Sequence, residues 1–180
     1  MKQRIRCAAA GVLEVITVLN RKALVIAIGT QEGWFDPFNL ARPSIPHRCL
    51  NPGNLRWSPD RFPQEKELDA GYVRFLTKGA GWAGLDNDVR AKSLKGLTLN
   101  EAIAIYCPVG DGANNPSEYV AHIAEWLSVD PKMRVSALFL DTGRVAGPWP
   151  EELAPALGSG RPDFAQLRAA ELVHIPTAPV

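Results

Sequence analysis

The segment RKALVIAIGTQEG, residues 21–33, constrains the fold most, because it is an apolar helical pattern that ends at a glycine. Gly33 suits a helix end, since glycine tolerates the left-handed backbone that commonly follows the last turn. Val25 and Ile28 lie seven and four residues before Glu32, and therefore on the same side of the helix. The pattern predicts that Glu32 continues an apolar stripe and is partly buried.

This placement of Glu32 predicts a raised pKa. Burial disfavours the ionised carboxylate, and so does the negative end of the helix dipole. A carboxylic acid that stays protonated near neutral pH is suited to act as a general acid. The pattern alone leaves open an exposed glutamate on a frayed last turn.

The following segments predict a mainly α, α+β fold. Residues 34–70 are rich in proline, asparagine, glycine and charge, and we expect a long structured loop there. Residues 71–77 alternate like a strand, with Val73 and Phe75 on one face. Residues 79–94 have the apolar spacing of a helix, and we expect Trp82, Leu85 and Val89 to lie on its buried face.

The second half predicts further helices. Thr98 and Glu101 form a capping-box signature, and Pro116 suits the first turn of a later helix. We expect Val120, Ile123, Ala124 and Leu127 to form the core stripe of that later helix. We also expect helices over 132–143 and near 163–172.

Length, charge and composition exclude several classes of protein. The 180 residues carry a net charge of +1, which fits one globular domain and disfavours a nucleic-acid-binding module. The basic start is interrupted by Glu14, so we interpret residues 1–20 as a helix rather than a signal peptide. No stretch is apolar enough to span a membrane. We expect a domain over 1–145 and a C-terminal extension, 146–180, packed on it.

Cysteine and histidine spacing predicts neither a metal site nor a cofactor. The three cysteines and three histidines match no zinc pattern, and the cysteines are expected to be small apolar residues in a reducing compartment. The residues concerned are Cys7, Cys49, Cys107, His47, His122 and His174.

Two other stretches offer polar side chains. Residues 51–54, NPGN, fit a type II turn in which Gly53 takes the positive φ, leaving Asn54 and Arg56 as donors in a rigid loop. Tyr119, His122 and Trp126 follow one side of a later helix. Aromatic faces beside amides suit sugar rings, although an ordinary turn and ordinary packing also explain these patterns.

Taken together, these motifs resemble a known family. AI-x-x-QEGWF, IPHRCLNPGNLR, GYVRFLTKGAGWAGL, LTLNEAIAIYCP and NNPSEYVAHIAEWLSVDP occur in the order seen in lysozyme-like proteins of bacteriophages and prophages. Such proteins are described as virion structural proteins or peptidoglycan hydrolases, and they are similar to lytic transglycosylases and goose-type lysozymes. The resemblance covers roughly residues 22–145. This chain departs from it with RCLNPGN in place of RNNNPGN, and with LDTGRV where a glutamate-bearing helix end is expected.

The resemblance implies a lysozyme-like fold, with a cleft between a helical lobe and a small β-hairpin lobe. It implies that Glu32 is the catalytic acid, cleaving the β-1,4 bond between N-acetylmuramic acid and N-acetylglucosamine in peptidoglycan. The residues expected to bind the glycan are Gln31, Asn54, Arg56, Tyr106 and Tyr119.

The reaction that follows from one glutamate stays open. Glycosidases usually use two carboxylates, and Asp36, Asp60 and Asp69 are the candidates for the second. Lytic transglycosylases use a single acid/base residue and the C6 hydroxyl of the substrate, so both that reaction and hydrolysis remain possible.

A non-catalytic alternative also follows from the resemblance. The chain could be a glycan-binding or structural part of a phage virion or injection device. For either function we expect synthesis in the bacterial cytoplasm, and action on the cell wall or within a virion or secretion apparatus.

Overall fold

A computed structural model describes most of the segment that carries the motifs. The described residues are 21–36, 41–63, 66–68, 71–110, 115–138 and 162–164. The predicted N-terminal helix, with Cys7, lies outside them, as do Asp69, His174 and nearly all of the predicted C-terminal extension. The expected domain limits are therefore not tested.

The described part of the chain is mainly helical, as expected, with one small antiparallel hairpin. Its elements are α1 (Arg21–Gln31), α2 (Ile45–Cys49), β1 (Lys66–Leu68), β2 (Tyr72–Arg74), α3 (Lys78–Leu94), α4 (Leu99–Tyr106) and α5 (Pro116–Leu127), followed by a 3₁₀ turn, Val135–Ala137.

Helix α1 lies in the core, because its residues are apolar on all sides. Every residue from Ala23 to Thr30 is buried, which is typical of a helix without a polar face. It packs against α5 and α3. At Gly29 a Cβ atom would lie 2.6 Å from the Trp82 ring, so the glycine permits the close approach of α3. None of the helices described here is long and apolar enough to cross a membrane.

Helix α3 and the hairpin confirm the predicted faces. Trp82, Leu85 and Val89 are buried on α3. In the hairpin β1 pairs with β2 in the register Glu67↔Val73. Val73 is buried, as is Phe75 directly after β2, whereas Arg74 between them is exposed.

The prediction of one long loop over 34–70 is wrong, because α2 and β1 lie within it. Helix α2 begins after Ser44 with a proline in its first turn and ends at Cys49, and the next residue, Leu50, has a φ of 49°. Five residues are too short to show helical periodicity, so the sequence pattern did not reveal this helix.

Helices α4 and α5 begin where the capping signals predict. The Thr98 hydroxyl accepts from the Glu101 amide at 3.3 Å, and the Glu101 carboxylate accepts from the Thr98 amide at 2.8 Å. Pro116 occupies the first turn of α5. The predicted core stripe of α5 is buried, at Val120, Ile123, Ala124 and Leu127.

The helix predicted over 132–143 is wrong for its described part, residues 132–138. These contain only the 3₁₀ turn. The backbone before it runs beside the start of α4, where the Leu99 amide donates to Met133 at 2.9 Å and the Val135 amide donates to Leu97 at 2.8 Å. Those bonds hold the segment extended. The helix predicted near 163–172 lies outside the described residues, apart from Asp163 and Phe164.

Candidate active site

Glu32 directly follows α1, which ends at Gln31, one residue before the position expected for the end of the helix. Gly33 has a φ of 82°, which is the left-handed conformation that ends the helix. The Trp34 amide donates to the Gly29 carbonyl at 2.9 Å, and the Gly33 amide donates to the Thr30 carbonyl at 3.1 Å. This pair of bonds is the Schellman motif, and it gives Glu32 a defined backbone geometry.

Two neutral donors bind the Glu32 carboxyl, one to each oxygen. Asn54 Nδ2 donates to Oε2 at 2.7 Å, and the Tyr119 hydroxyl donates to Oε1 at 2.8 Å. Asn54 comes from the NPGN turn and Tyr119 from the first turns of α5. The structure thus brings together three of the predicted site residues, and the alternative of an exposed Glu32 on a frayed turn is wrong.

The environment of Glu32 raises its pKa above the ordinary value of 4.5. Burial is the largest cause, because it disfavours the charged form. The hydrogen bonds from Tyr119 and then Asn54 act in the opposite direction, since they stabilise the carboxylate. The direction agrees with the expectation from the helix pattern.

The NPGN turn differs from its predicted type. The Asn54 amide donates to the Asn51 carbonyl at 3.0 Å, which closes a turn. The left-handed residue is Asn54, with φ 46°, and Gly53 is not among the residues of positive φ. The prediction that Gly53 supplies the positive φ is therefore wrong. Asparagine tolerates the left-handed region better than most residues, so Asn54 can adopt this conformation one residue after the glycine that was expected to do so.

Position 53 requires a glycine because the structure leaves no room there for a side chain. A Cβ atom there would lie 2.6 Å from Leu85 Cδ1 and 2.7 Å from the Tyr106 hydroxyl oxygen. A side chain would push the turn away from α3 and from the end of α4. The glycine therefore lets the turn carry Asn54 close to Glu32.

The Asn51 side chain forms hydrogen bonds that connect this turn to the hairpin. Its side chain is fully buried; Nδ2 donates to the carbonyls of Leu55 and Val73 at 3.0 Å each, and Oδ1 accepts from the Leu55 amide at 2.9 Å. In the sequence, Asn51 is recognisable only as the first residue of a turn. Its partners lie as far as 22 residues away, so no local pattern identified this role.

Tyr106 and Tyr119 form an aromatic pair at the site. Their ring centroids are 6.0 Å apart, with an interplanar angle of 65°. Burial raises the pKa of both hydroxyls well above the ordinary value, and the nearby Glu32 charge raises it further. Both hydroxyls therefore remain protonated and able to donate.

Gln31 points to α5 rather than to Asn54. Its Oε1 lies 3.1 Å from His122 Nδ1. His122 stacks on Trp126, and Trp126 lies nearly parallel to Phe164, with centroids 5.2 Å apart. The aromatic side of α5 thus packs against a residue of the C-terminal segment, as the packing interpretation of this stripe expects.

Arg56 lies on the hairpin side of the turn. Its guanidinium carbon is 4.1 Å from the centroid of the Tyr72 ring, and its side chain is exposed. No hydrogen bond between Arg56 and Glu32 is found in the described structure. The predicted donor is therefore present near the turn but outside the contacts of Glu32.

No second carboxylate joins the Glu32 cluster among the described residues. Asp36 and Asp60 are both exposed. Among the described residues the buried carboxylates are Asp86 and Asp88 on α3, which no sequence motif had indicated. Asp86 accepts from Arg21 at 2.5 and 2.9 Å, whereas Asp88 pairs with Arg61 and Lys92.

The described residues contain no group of histidine, cysteine and carboxylate side chains that could hold a metal ion. Cys49 and Cys107 are buried in the core, in line with their expected role as small apolar residues.

Comparison of the chain with models of protein families, with curated proteins and with solved structures found no match. The functional assignment therefore depends on the sequence motifs and on the geometry around Glu32.

Proposed function

We propose that this chain is a lysozyme-like enzyme that cleaves the β-1,4 bond between N-acetylmuramic acid and N-acetylglucosamine in peptidoglycan. The observation that carries the proposal is the state of Glu32. A half-buried carboxyl with a raised pKa ends a buried helix, and neutral donors bind both of its oxygens. The mainly helical structure with its small hairpin supports a lysozyme-like fold.

The proposed reaction uses Glu32 twice. The protonated carboxyl gives its proton to the glycosidic oxygen as the bond to the anomeric carbon breaks. The resulting carboxylate is stabilised by the donors Asn54 and Tyr119. It then takes a proton from the hydroxyl that attacks the anomeric carbon, either from water or from the C6 hydroxyl of the sugar.

Substitution of Glu32 tests this function. Purified protein should clear a suspension of Gram-negative cell walls, and Glu32→Gln should lower the rate about 10³-fold, since it removes the general acid. The melting temperature should change little, because the shape of the side chain is kept. Glu125→Gln on the exposed side of α5 is the matched control and should clear at the wild-type rate.

The other outcomes decide between the functions. Equal clearing by wild type and Glu32→Gln would contradict the role of Glu32. Equal binding to cell walls without clearing by either protein would favour a glycan-binding part of a virion or secretion apparatus. Mass spectrometry of the released muropeptides separates hydrolysis, which leaves reducing ends, from transglycosylation, which leaves 1,6-anhydro ends.

A further inference from the structure

The amide of Asn54 has one atom that the Glu32 cluster leaves unused. Nδ2 donates to Glu32, so the amide orientation is set and Oδ1 must act as an acceptor. Oδ1 is buried, and no group of the described residues donates a hydrogen bond to it. A buried acceptor without a donor is unfavourable, and folded proteins contain few such atoms.

The Tyr106 hydroxyl is a second buried polar group of the same kind. It lies against the turn, 2.7 Å from the position of a Cβ on Gly53, the residue before Asn54. Within the described structure it has no hydrogen-bond partner. Lys92 Nζ lies 5.3 Å from the ring centroid and engages the face of the ring rather than the hydroxyl.

These two groups together favour a hydroxyl ligand over other polar ligands. Asn54 Oδ1 can only accept, so the ligand must donate to it. The Tyr106 hydroxyl stays protonated and can donate, so the ligand should also accept. An O–H group does both with one oxygen atom, whereas an amide N–H cannot accept.

We propose that Asn54 Oδ1 and the Tyr106 hydroxyl bind the hydroxyl group that attacks the sugar beside Glu32. This inference rests on the proposed glycosidase function and adds the position of its acceptor. The hydroxyl oxygen forms a bond to the anomeric carbon, its proton passes to the Glu32 carboxylate, and the bond to the leaving oxygen has already broken. Water and the C6 hydroxyl of the sugar share this chemistry.

A crystal structure of the full chain tests the binding site independently of activity. We expect one ordered water oxygen within about 3.2 Å of both Asn54 Oδ1 and the Tyr106 oxygen. A direct hydrogen bond between these two groups, or protein atoms filling both positions, would overturn the inference. This measurement decides the point even if wild-type protein does not cleave peptidoglycan.

Tyr106→Phe tests the catalytic part. We expect kcat to fall about 10- to 100-fold with little change in KM, because the attacking hydroxyl is less well positioned. The melting temperature should stay the same or rise, since the variant removes an unpartnered buried hydroxyl. Thr30→Val is the matched control, because among the contacts described the Thr30 hydroxyl bonds only the Ile26 carbonyl of its own helix, at 2.8 Å, and the substitution keeps the Thr30 carbonyl that accepts from Gly33.

The products identify which hydroxyl is bound. If it is water, wild type releases mainly reducing ends and Tyr106→Phe lowers their share. If it is the C6 hydroxyl, wild type releases anhydro ends and the variant lowers those. Wild-type kcat and product ratio in Tyr106→Phe, with Glu32→Gln inactive, would overturn the inference and leave the proposed function standing.

Discussion

Asp88 is buried and Glu32 is half-buried, and the two carboxylates differ in the charge of the groups that bind them. Asp88, on α3, is paired with the cations Arg61 and Lys92. Glu32, at the end of α1, is bound by a neutral amide and a neutral hydroxyl. The two cations compensate the charge of Asp88 by ion pairing, whereas Glu32 has only neutral donors, and burial is the largest influence on its pKa, which is raised. The comparison separates a carboxylate that holds the fold from one that is available to transfer a proton.

The Asp88 cluster connects parts of the fold that are distant in sequence. Arg61 follows the NPGN turn, whereas Lys92 lies one helical turn after Asp88 on α3. The Arg61 side chain is 50% exposed and that of Lys92 is 13% exposed, so Lys92 depends more on its counter-charge. We therefore expect Asp88 to contribute to stability and not to catalysis.

The largest expected effect on stability is that of Asp88→Asn. It leaves the mostly buried Lys92 without its counter-charge, which should lower the free energy of unfolding by about 3 kcal/mol. Urea denaturation measures the loss, and Glu125→Gln, with an exposed side chain, should change it by less than about 0.5 kcal/mol. Activity per folded molecule should be retained. Unchanged stability together with lost activity would reverse the assignments of the two carboxylates.

Two glycine substitutions compare the packing of the NPGN turn, at Gly53, with that of α3 against the residue after β2, at Gly84. Gly53→Ala forces a Cβ against Leu85 and Tyr106, and Gly84→Ala forces one to 2.6 Å from the Phe75 ring. We expect Gly53→Ala to cost about 1–3 kcal/mol from overpacking. The cost of Gly84→Ala should be about 1 kcal/mol smaller, because alanine is the better helix former.

Activity separates the two alanine variants. Gly53→Ala should lower kcat per folded molecule, since it displaces the Tyr106 hydroxyl and the turn that carries Asn54. Gly84→Ala should not, because its contact is with Phe75. Chemical denaturation and steady-state kinetics on both proteins test this, and equal kcat values would argue against a role for the turn in catalysis.

The smallest expected effect is a shift of the pH profile in Tyr119→Phe. The Tyr119 hydrogen bond lowers the pKa of Glu32, so its removal should raise that pKa further. A general acid loses activity as pH rises through its pKa, and the descending limb of kcat/KM should therefore move to higher pH. Asp88→Asn should leave the limb in place. A shift to lower pH in Tyr119→Phe would contradict the assignment of Glu32 as the acid.

Features with local signals could be predicted from the sequence. The left-handed Gly33 that follows α1 and the capping box of Thr98 and Glu101 each depend on residues within one helical turn. The buried faces of α3 and α5 follow from helical periodicity alone. The partial burial of Glu32 was also predicted, although α1 is buried on all sides and not along one stripe.

The contacts that complete the site could not be predicted from local pattern. Tyr119 and Glu32 are 87 residues apart, and Asp88 and Arg61 are 27 apart. Gly53 was assigned to the wrong role because its space is limited by Leu85 and Tyr106, which only the folded chain brings next to it. Arg56, expected at the glycan site, stacks on Tyr72 because β2 lies beside it.

The three hydrogen bonds of Asn51 have a consequence for how the hairpin opens. Two strands of three residues each are too small to persist alone, and they are tied to the segment after the turn by the backbone bonds of Val73 to Leu55 and of Trp57 to Gly71, to which the Asn51 side chain adds its own bonds. Separating the hairpin from the turn would leave the buried Nδ2 of Asn51 without its Val73 acceptor and would break the backbone bond from the Val73 amide to the Leu55 carbonyl. Asn51 therefore makes the turn and hairpin one cooperative unit, so the segment that carries Asn54 is protected from local unfolding even though it is mostly loop.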